Sequence, residues 1–273
     1  MGDDMVELPG GTTIDVEVHG DGPAVLLPVN PRQAEGEQAE TMRQWGADPA
    51  LGRSLVDGLT GFRVIAFDYE GHTLAHPRPD TLTPDAVSED LLAIATAAGA
   101  GEFAYYGYSW LALSGLQLAL RTDRLTALAM GGYPPLDGPY AEMLAVTRAT
   151  HEMPRTEGGA ATPGDWDSAD FTLSTAQTRQ FVTLYEALRG FDDHPAQVKV
   201  PRLCFAGTED RIEYGERWGG VTVDLAGPLV RNREALEAGG WTVALLDGLD
   251  HLGAMQAKAV LPVLKPWLDA ALR

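Results

Sequence analysis

Cysteine is almost missing: the 273 residues include only Cys204, so neither a disulfide framework nor a cysteine zinc site can form within the chain. Cys204 stands in the apolar run Leu203 to Ala206, where it reads as a small packed hydrophobe. Basic residues are in deficit, 20 against 39 acidic ones, and the net charge of −19 repels phosphates at long range. Nucleic acid and anionic membrane are thereby excluded as expected partners. Residues 1 to 20 carry early acids and lack an apolar h-region, and no apolar run elsewhere has the length of a membrane span. The expectation is a cytoplasmic protein acting on a small-molecule substrate, with its oligomeric state left open. There is no internal repeat or low-complexity tract. The length suffices to bury a full core without metal or disulfide.

What is present is a repeated alternation of short apolar runs with longer helical patterns. Strands are expected at Thr12 to Val18, Ala24 to Pro28, Phe62 to Phe67, Glu102 to Tyr106, Leu125 to Met130, Leu203 to Ala206 and Val243 to Leu246. Helices are expected at Asp85 to Ala98, after Ser109 as far as Leu120, and at Ala254 to Leu272. This β-α alternation implies an α/β fold with a mostly parallel central sheet and helices on both faces. Between Asp137 and Val198 helical patterns take over. Tyr140 to Met153 is one helix, and Phe181, Leu184, Tyr185 and Leu188 mark the apolar face of another, with Gly158 to Gly164 as a loop between them. The block follows one strand and precedes another. The expected organisation is a core of residues 1–136 and 200–273 with a helical cap inserted at 137–199.

Ser109 lies in Tyr105-Tyr106-Gly107-Tyr108-Ser109-Trp110, where a strand-like run stops and a helical one begins. A serine at such a corner stands above the sheet edge, with the N–H groups and dipole of a helix N-terminus behind it. Two later strand ends carry matching partners: Gly207-Thr208-Glu209-Asp210 and Gly248-Leu249-Asp250-His251. Ser109, Asp210 and His251 follow one another as nucleophile, acid and base. Asp250 reads as a turn residue before His251. Gly99-Ala-Gly101-Glu-Phe-Ala104 fits a dinucleotide fingerprint by letter but precedes a strand instead of following one. His72 and His76, flanked by Gly71 and Pro77, do not make a helical metal pair.

With Phe67-Asp68-Tyr69-Glu70-Gly71-His72 added as a strand-end D-x-x-G-H segment, four motifs in order resemble those of the α/β-hydrolase superfamily over nearly the whole chain outside the cap. The resemblance implies Ser109 as nucleophile, His251 as general base and then acid, and Asp210 as the orienting carboxylate, with Asp137 as the alternative because some members of the family carry the acid after the preceding strand. It also implies an oxyanion hole from the backbone N–H groups of Trp110 and of Asn30, the latter in Pro28-Val29-Asn30-Pro31 with its side-chain amide as a possible helper. No metal and no organic cofactor are implied. Two departures stand out: Leu111 occupies a position where the family has a small residue, and Pro28 to Pro31 replaces the usual His-Gly. Trp110, Phe181 and Tyr185 are expected to line the substrate pocket. The expected activity is hydrolysis of a medium-sized, mostly apolar carboxylic ester, lactone or thioester through an acyl-enzyme. The alternatives are a small-molecule sensor, an acyl-transfer or cyclising enzyme on the same scaffold, and an aminopeptidase with Glu152 or Asp165 receiving an amino terminus.

Overall fold

A computed structural model describes residues 3–153, 173–194 and 196–272. Strands β1 (Asp3–Glu7), β2 (Thr13–His19), β3 (Ala24–Leu27), β4 (Arg63–Ala66), β5 (Phe103–Tyr108), β6 (Leu125–Gly131), β7 (Arg202–Gly207) and β10 (Trp241–Leu246) form one sheet in the order β1-β2-β4-β3-β5-β6-β7-β10. The first two are antiparallel additions at one edge; from β4 to β10 all neighbours run parallel. The expected mostly parallel sheet is thus observed.

Successive side chains of a strand point to opposite faces, and the central strands are apolar at most positions because both faces are covered. Leu26, Ile65, Tyr105, Leu128 and Cys204 belong to one core, with residues of α4 (Pro84–Ala97) and α5 (Trp110–Ala119). Val25, Val64, Tyr106, Ala129 and Phe205 belong to the other, with α2 (Leu51–Gly58) and α11 (Ala257–Ala271). Each fully buried aliphatic side chain contributes roughly 2 kcal/mol to this two-sided core. α4 starts where the sequence directs it, with the Thr83 side chain accepting from the Ala86 N–H and Pro84 in the first turn. Cys204 is fully buried, and burial pushes its thiol pKa up, in keeping with a packing role.

Between β6 and β7 run α6 (Tyr140–Glu152) and α7 (Thr175–Ala187), which pack against each other. The expected loop Gly158 to Gly164 and the acid Asp165 lie outside the described residues. α7 begins with a capping box between Ser174 and Gln177. It is tied to the sheet-edge segment below it: Gln177 donates to Leu74 O, Gln180 to Thr73 O, and the Arg78 N–H donates to Gln180.

Other elements are additions to the sequence expectation: α1 (Gly36–Gln44), α3 (Tyr69–Ala75), a hairpin of β8 (Arg211–Glu213) and β9 (Thr222–Asp224), α8 (Ala226–Arg231) and α9 (Arg233–Ala238). The expected closing helix is also divided. α10 (His251–Met255) stops at Gln256, whose backbone is extended (φ −61°, ψ 141°) and whose amide donates to Leu252 O and Gly46 O, before α11 begins. Among the described residues no helix is long and apolar enough to cross a membrane.

Candidate active site

Ser109 is the single residue between β5 and α5, with φ 56° and ψ −129°. An L-residue in that region stores about 1–3 kcal/mol of backbone strain, retained only where neighbouring contacts hold it. Here the Ser109 N–H donates to Gly131 O on β6 (2.8 Å), and its carbonyl accepts from the Ala112 and Leu113 N–H groups. The hydroxyl makes no cap bond to its own helix. Space for the corner comes from glycines on either side of Leu111. A Cβ on Gly107 would lie 2.4 Å from the Leu111 carbonyl oxygen, and one on Gly115 would lie 2.5 Å from the Tyr105 ring. Tyr105 donates to the same Leu111 carbonyl (2.8 Å), while Leu111, itself buried in the core, also lines a cavity. The close approach that a small residue would give at 111 is therefore achieved without one.

The loops after β7 and β10 are stitched together. Thr208 N–H donates to Leu246 O, Glu209 N–H to Leu249 O, and Gly248 N–H to the Thr208 hydroxyl. Gly207 is obligatory, since a Cβ there would fall 1.9 Å from Leu249 O. This seam brings Asp210 and His251 together: His251 Nδ1 lies 3.0 and 2.9 Å from the two Asp210 carboxylate oxygens. Asp210 is fully buried, and its backbone carbonyl accepts from Leu225 and Ala226 beyond the hairpin. His251 opens α10 behind Asp250, whose side chain accepts from the Gly253 N–H (2.7 Å), and the His251 carbonyl accepts from the Tyr108 hydroxyl (2.7 Å). With Nδ1 facing a carboxylate, Nε2 is left to meet a hydroxyl or substrate.

Asp137 sits elsewhere, in a left-handed turn (φ 55°). Its oxygens take Asn232 Nδ2 (2.7 Å) and His194 Nε2 (2.9 Å), and these hydrogen bonds, that from Asn232 first, lower its pKa. Among the described residues Asp137, Asp193 and His194 are also the group whose ligand atoms lie close enough for a metal. The Asp193 carboxylate, however, accepts from the Asp137 and Gly138 N–H groups, and the set lines neither cavity that holds Ser109.

Those cavities meet at Ser109 and His251, which line both. The first, about 390 Å³, also contains Asn30, Glu70, Tyr108, Trp110 and Leu111; the second, about 360 Å³, contains Tyr133, Met143, Tyr185, Tyr214 and Leu225. Trp110 and Tyr185 are thus placed at cavity walls. Phe181 lines neither; it stands edge-on to Trp110 with ring centroids 5.4 Å apart. Glu152, at the exposed end of α6, also lines neither. Asn30 follows β3 in the first cavity, its carbonyl seated against Gly52, where a Cβ would intrude to 1.9 Å. Its side chain is engaged: Nδ2 donates to Asp68 (3.0 Å) and Oδ1 accepts from the Arg32 N–H (2.9 Å). The amide is therefore committed to shaping the loop, which leaves the backbone N–H as what Asn30 can offer a ligand.

Sequence reasoning passed over Glu70, treating it as a spacer within the D-x-x-G-H segment. In the fold its residue surface is open to the first cavity, and desolvation by the protein around that cavity, followed by the charge of Asp68, raises its pKa. The Trp110 indole N–H faces it and pulls the other way, although it stays outside hydrogen-bond geometry and has no partner there. Tyr133 and Tyr214 were also missed, since only the folded sheet and hairpin bring them to the second cavity beside Ser109.

No protein-family model matches the chain, and no curated protein matches it in sequence. Solved structures do match. An epoxide hydrolase from Vigna radiata aligns over 98% of this chain and 97% of its own with 16% identity and a TM-score of 0.59. A bromoperoxidase from Bacillus anthracis aligns over 98% and 100% with 19% identity and a TM-score of 0.58. A structure from work on carboxylesterases of Nitrososphaera gargenis aligns over 98% of both chains with 17% identity and a TM-score of 0.58. Likeness at this identity speaks for shared architecture.

Proposed function

Because the chain has the α/β-hydrolase fold, whose members differ in chemistry, the site must choose the reaction, and we propose that it is a serine hydrolase cleaving a medium-sized ester, lactone or thioester. The observation that carries this reading is the strained, uncapped Ser109 at the waist of two cavities, beside a histidine whose Nδ1 faces a fully buried carboxylate. Asp210 would hold the imidazole in the tautomer that presents Nε2 as base. Ser109 Oγ attacks the carbonyl carbon as its proton passes to Nε2. The bond to the leaving group then breaks, and the same proton goes to the departing oxygen or sulfur. Water repeats the sequence in reverse and frees the acid. The oxyanion would be met by the backbone N–H groups of Asn30 and Trp110, neither of which is used in a hydrogen bond among the described residues; each such donor is worth about 3 kcal/mol.

Among the described residues Ser109 has no hydrogen bond to His251, in keeping with catalytic contacts that tighten only around substrate. α6 and α7 supply Met143 and Tyr185 to the second cavity, which supports reading the inserted segment as a cap over the site.

The test is intact-mass labelling by a serine-directed phosphonate. Wild type should gain one adduct, and Ser109→Ala and His251→Ala none. A folded wild type that stays unlabelled would overturn the hydrolase reading, and ligand-induced thermal shifts would then point to a small-molecule receptor.

A further inference from the structure

The first cavity carries a carboxyl group that the catalytic scheme does not use. Glu70 is accessible at its wall, on α3, in the same enclosure as Ser109. Among the described residues it forms no ion pair, and no cationic side chain is among the groups that set its electrostatics. Its neighbour Asp68 adds negative charge, with both oxygens already taken by the Gly71 N–H and Asn30 Nδ2. Arg32 lines the same cavity but turns to Asp15 (3.3 Å) and Glu17 (3.5 Å). The carboxyl group is open to the cavity and has no cation of the protein against it, so an entering cation can pair with it. The remaining walls suit such a cation. Trp110, Tyr106 and Tyr108 are aromatic, and an ammonium is attracted to ring faces. The chain's net charge of −19 draws cations towards it.

We propose that the first cavity receives an ammonium-bearing part of the substrate, with Glu70 as its counter-ion and the ring of Trp110 beside it. The inference deepens the hydrolase reading and rests on it for the reaction, though not for the binding. A wholly apolar substrate would leave Glu70 unanswered. An anionic one would meet Glu70 and Asp68 head-on.

Two pairs of isosteric esters test it. One pair sets a trimethylammonium group against a tert-butyl group on the acyl half, the other on the alcohol half. Wild type should favour the cationic member of at least one pair by about tenfold or more in kcat/KM, the scale expected of a close charge pair. The preference should reside in KM. Glu70→Gln should bring the ratio close to one, and Glu70→Asp, which keeps the charge, should retain a preference. Equal or inverse preference in both pairs, or a ratio unchanged in Glu70→Gln with an intact cooperative melt, would overturn the proposal. Binding is read independently of turnover by titrating butyltrimethylammonium into Ser109→Ala. Weakening of at least about tenfold on adding Glu70→Gln supports the counter-ion role even if phosphonate labelling fails, whereas equal affinity sinks it.

Discussion

The loop after β7 reaches the second cavity and the loop after β3 the first, the two cavities that share Ser109 and His251, yet the loops are held in different ways. The loop after β7 is joined to its neighbour by backbone bonds from Thr208 and Glu209, by the Thr208 hydroxyl and by the Asp210–His251 contact, with no space for a side chain at Gly207. The loop after β3 is held mainly by side chains, Asn30 between Asp68 and the Arg32 N–H and Arg32 against Asp15 and Glu17, and beside it lies Glu70 without a cationic partner. On one side the backbone groups of Thr208 and Glu209 and the Asp210 carboxylate are answered within the protein. On the other some answers are left for a ligand. Proton transfer needs fixed geometry, whereas recognition needs groups whose partners are missing until substrate arrives.

The largest test of this contrast compares the two acids. Asp210→Asn should lower kcat by roughly 10³-fold or more by spoiling the tautomer of His251, while Asp137→Asn should leave turnover within about twofold. Comparable losses in the two variants would erase the distinction between them. Next comes the seam itself. Gly207→Ala must displace Leu249 O, and should cost roughly 3 kcal/mol in chemical denaturation together with most activity. A variant of wild-type stability would show that the loops are less tightly stitched than the geometry demands. On the recognition side, Phe181→Ala removes the edge-on brace of Trp110 and should lower kcat/KM about fivefold, the equivalent of one aromatic pair. Stability changes of similar size with unaltered kinetics would confine Phe181 to packing.

The smallest expected effect concerns stability and pH. The Glu70 pKa is raised on folding by desolvation at the cavity wall and then by Asp68, so the folded state binds more protons than the unfolded one between the ordinary glutamate value and the raised one. Unfolding free energy therefore falls as pH rises through that window. Glu70→Gln should melt higher than wild type above the window, with the advantage fading at acid pH. An advantage that is the same at pH 4 and pH 8 would show that Glu70 does not titrate abnormally.

Much of this arrangement could be read from the chain because its carriers are local. The run from Tyr105 to Trp110 announces a strand-to-helix corner, and the Asp210 and His251 loops each follow a plain apolar strand. The choice between Asp210 and Asp137 was not local. It depends on β7 and β10 lying side by side, a matter of sheet order that no single segment contains. Glu70 escaped notice for a related reason: its meaning comes from the turn of α3 over the first cavity, and a seven-residue helix containing Gly71 shows little periodicity. The β8–β9 hairpin has strands of three residues, too short to alternate recognisably. The split at Gln256 was hidden because apolar residues continue on both sides of it. The fold's apolar strands are strong signals in sequence, and the polar residues that tune the site are weak ones.

Placing one hydroxyl between two chambers has a consequence for the order of events. On the proposed mechanism an acyl group on Ser109 would plug one of the two chambers that Ser109 lines, and the departing alcohol or thiol would vacate the other. Whatever next attacked would then enter through that vacated chamber, past the same imidazole. The dimensions and polarity of a single chamber would then decide whether water alone is admitted or whether a second alcohol or amine competes for the acyl group. Hydrolysis and transfer would be separated by a doorway, with the chemistry at Ser109 the same for both.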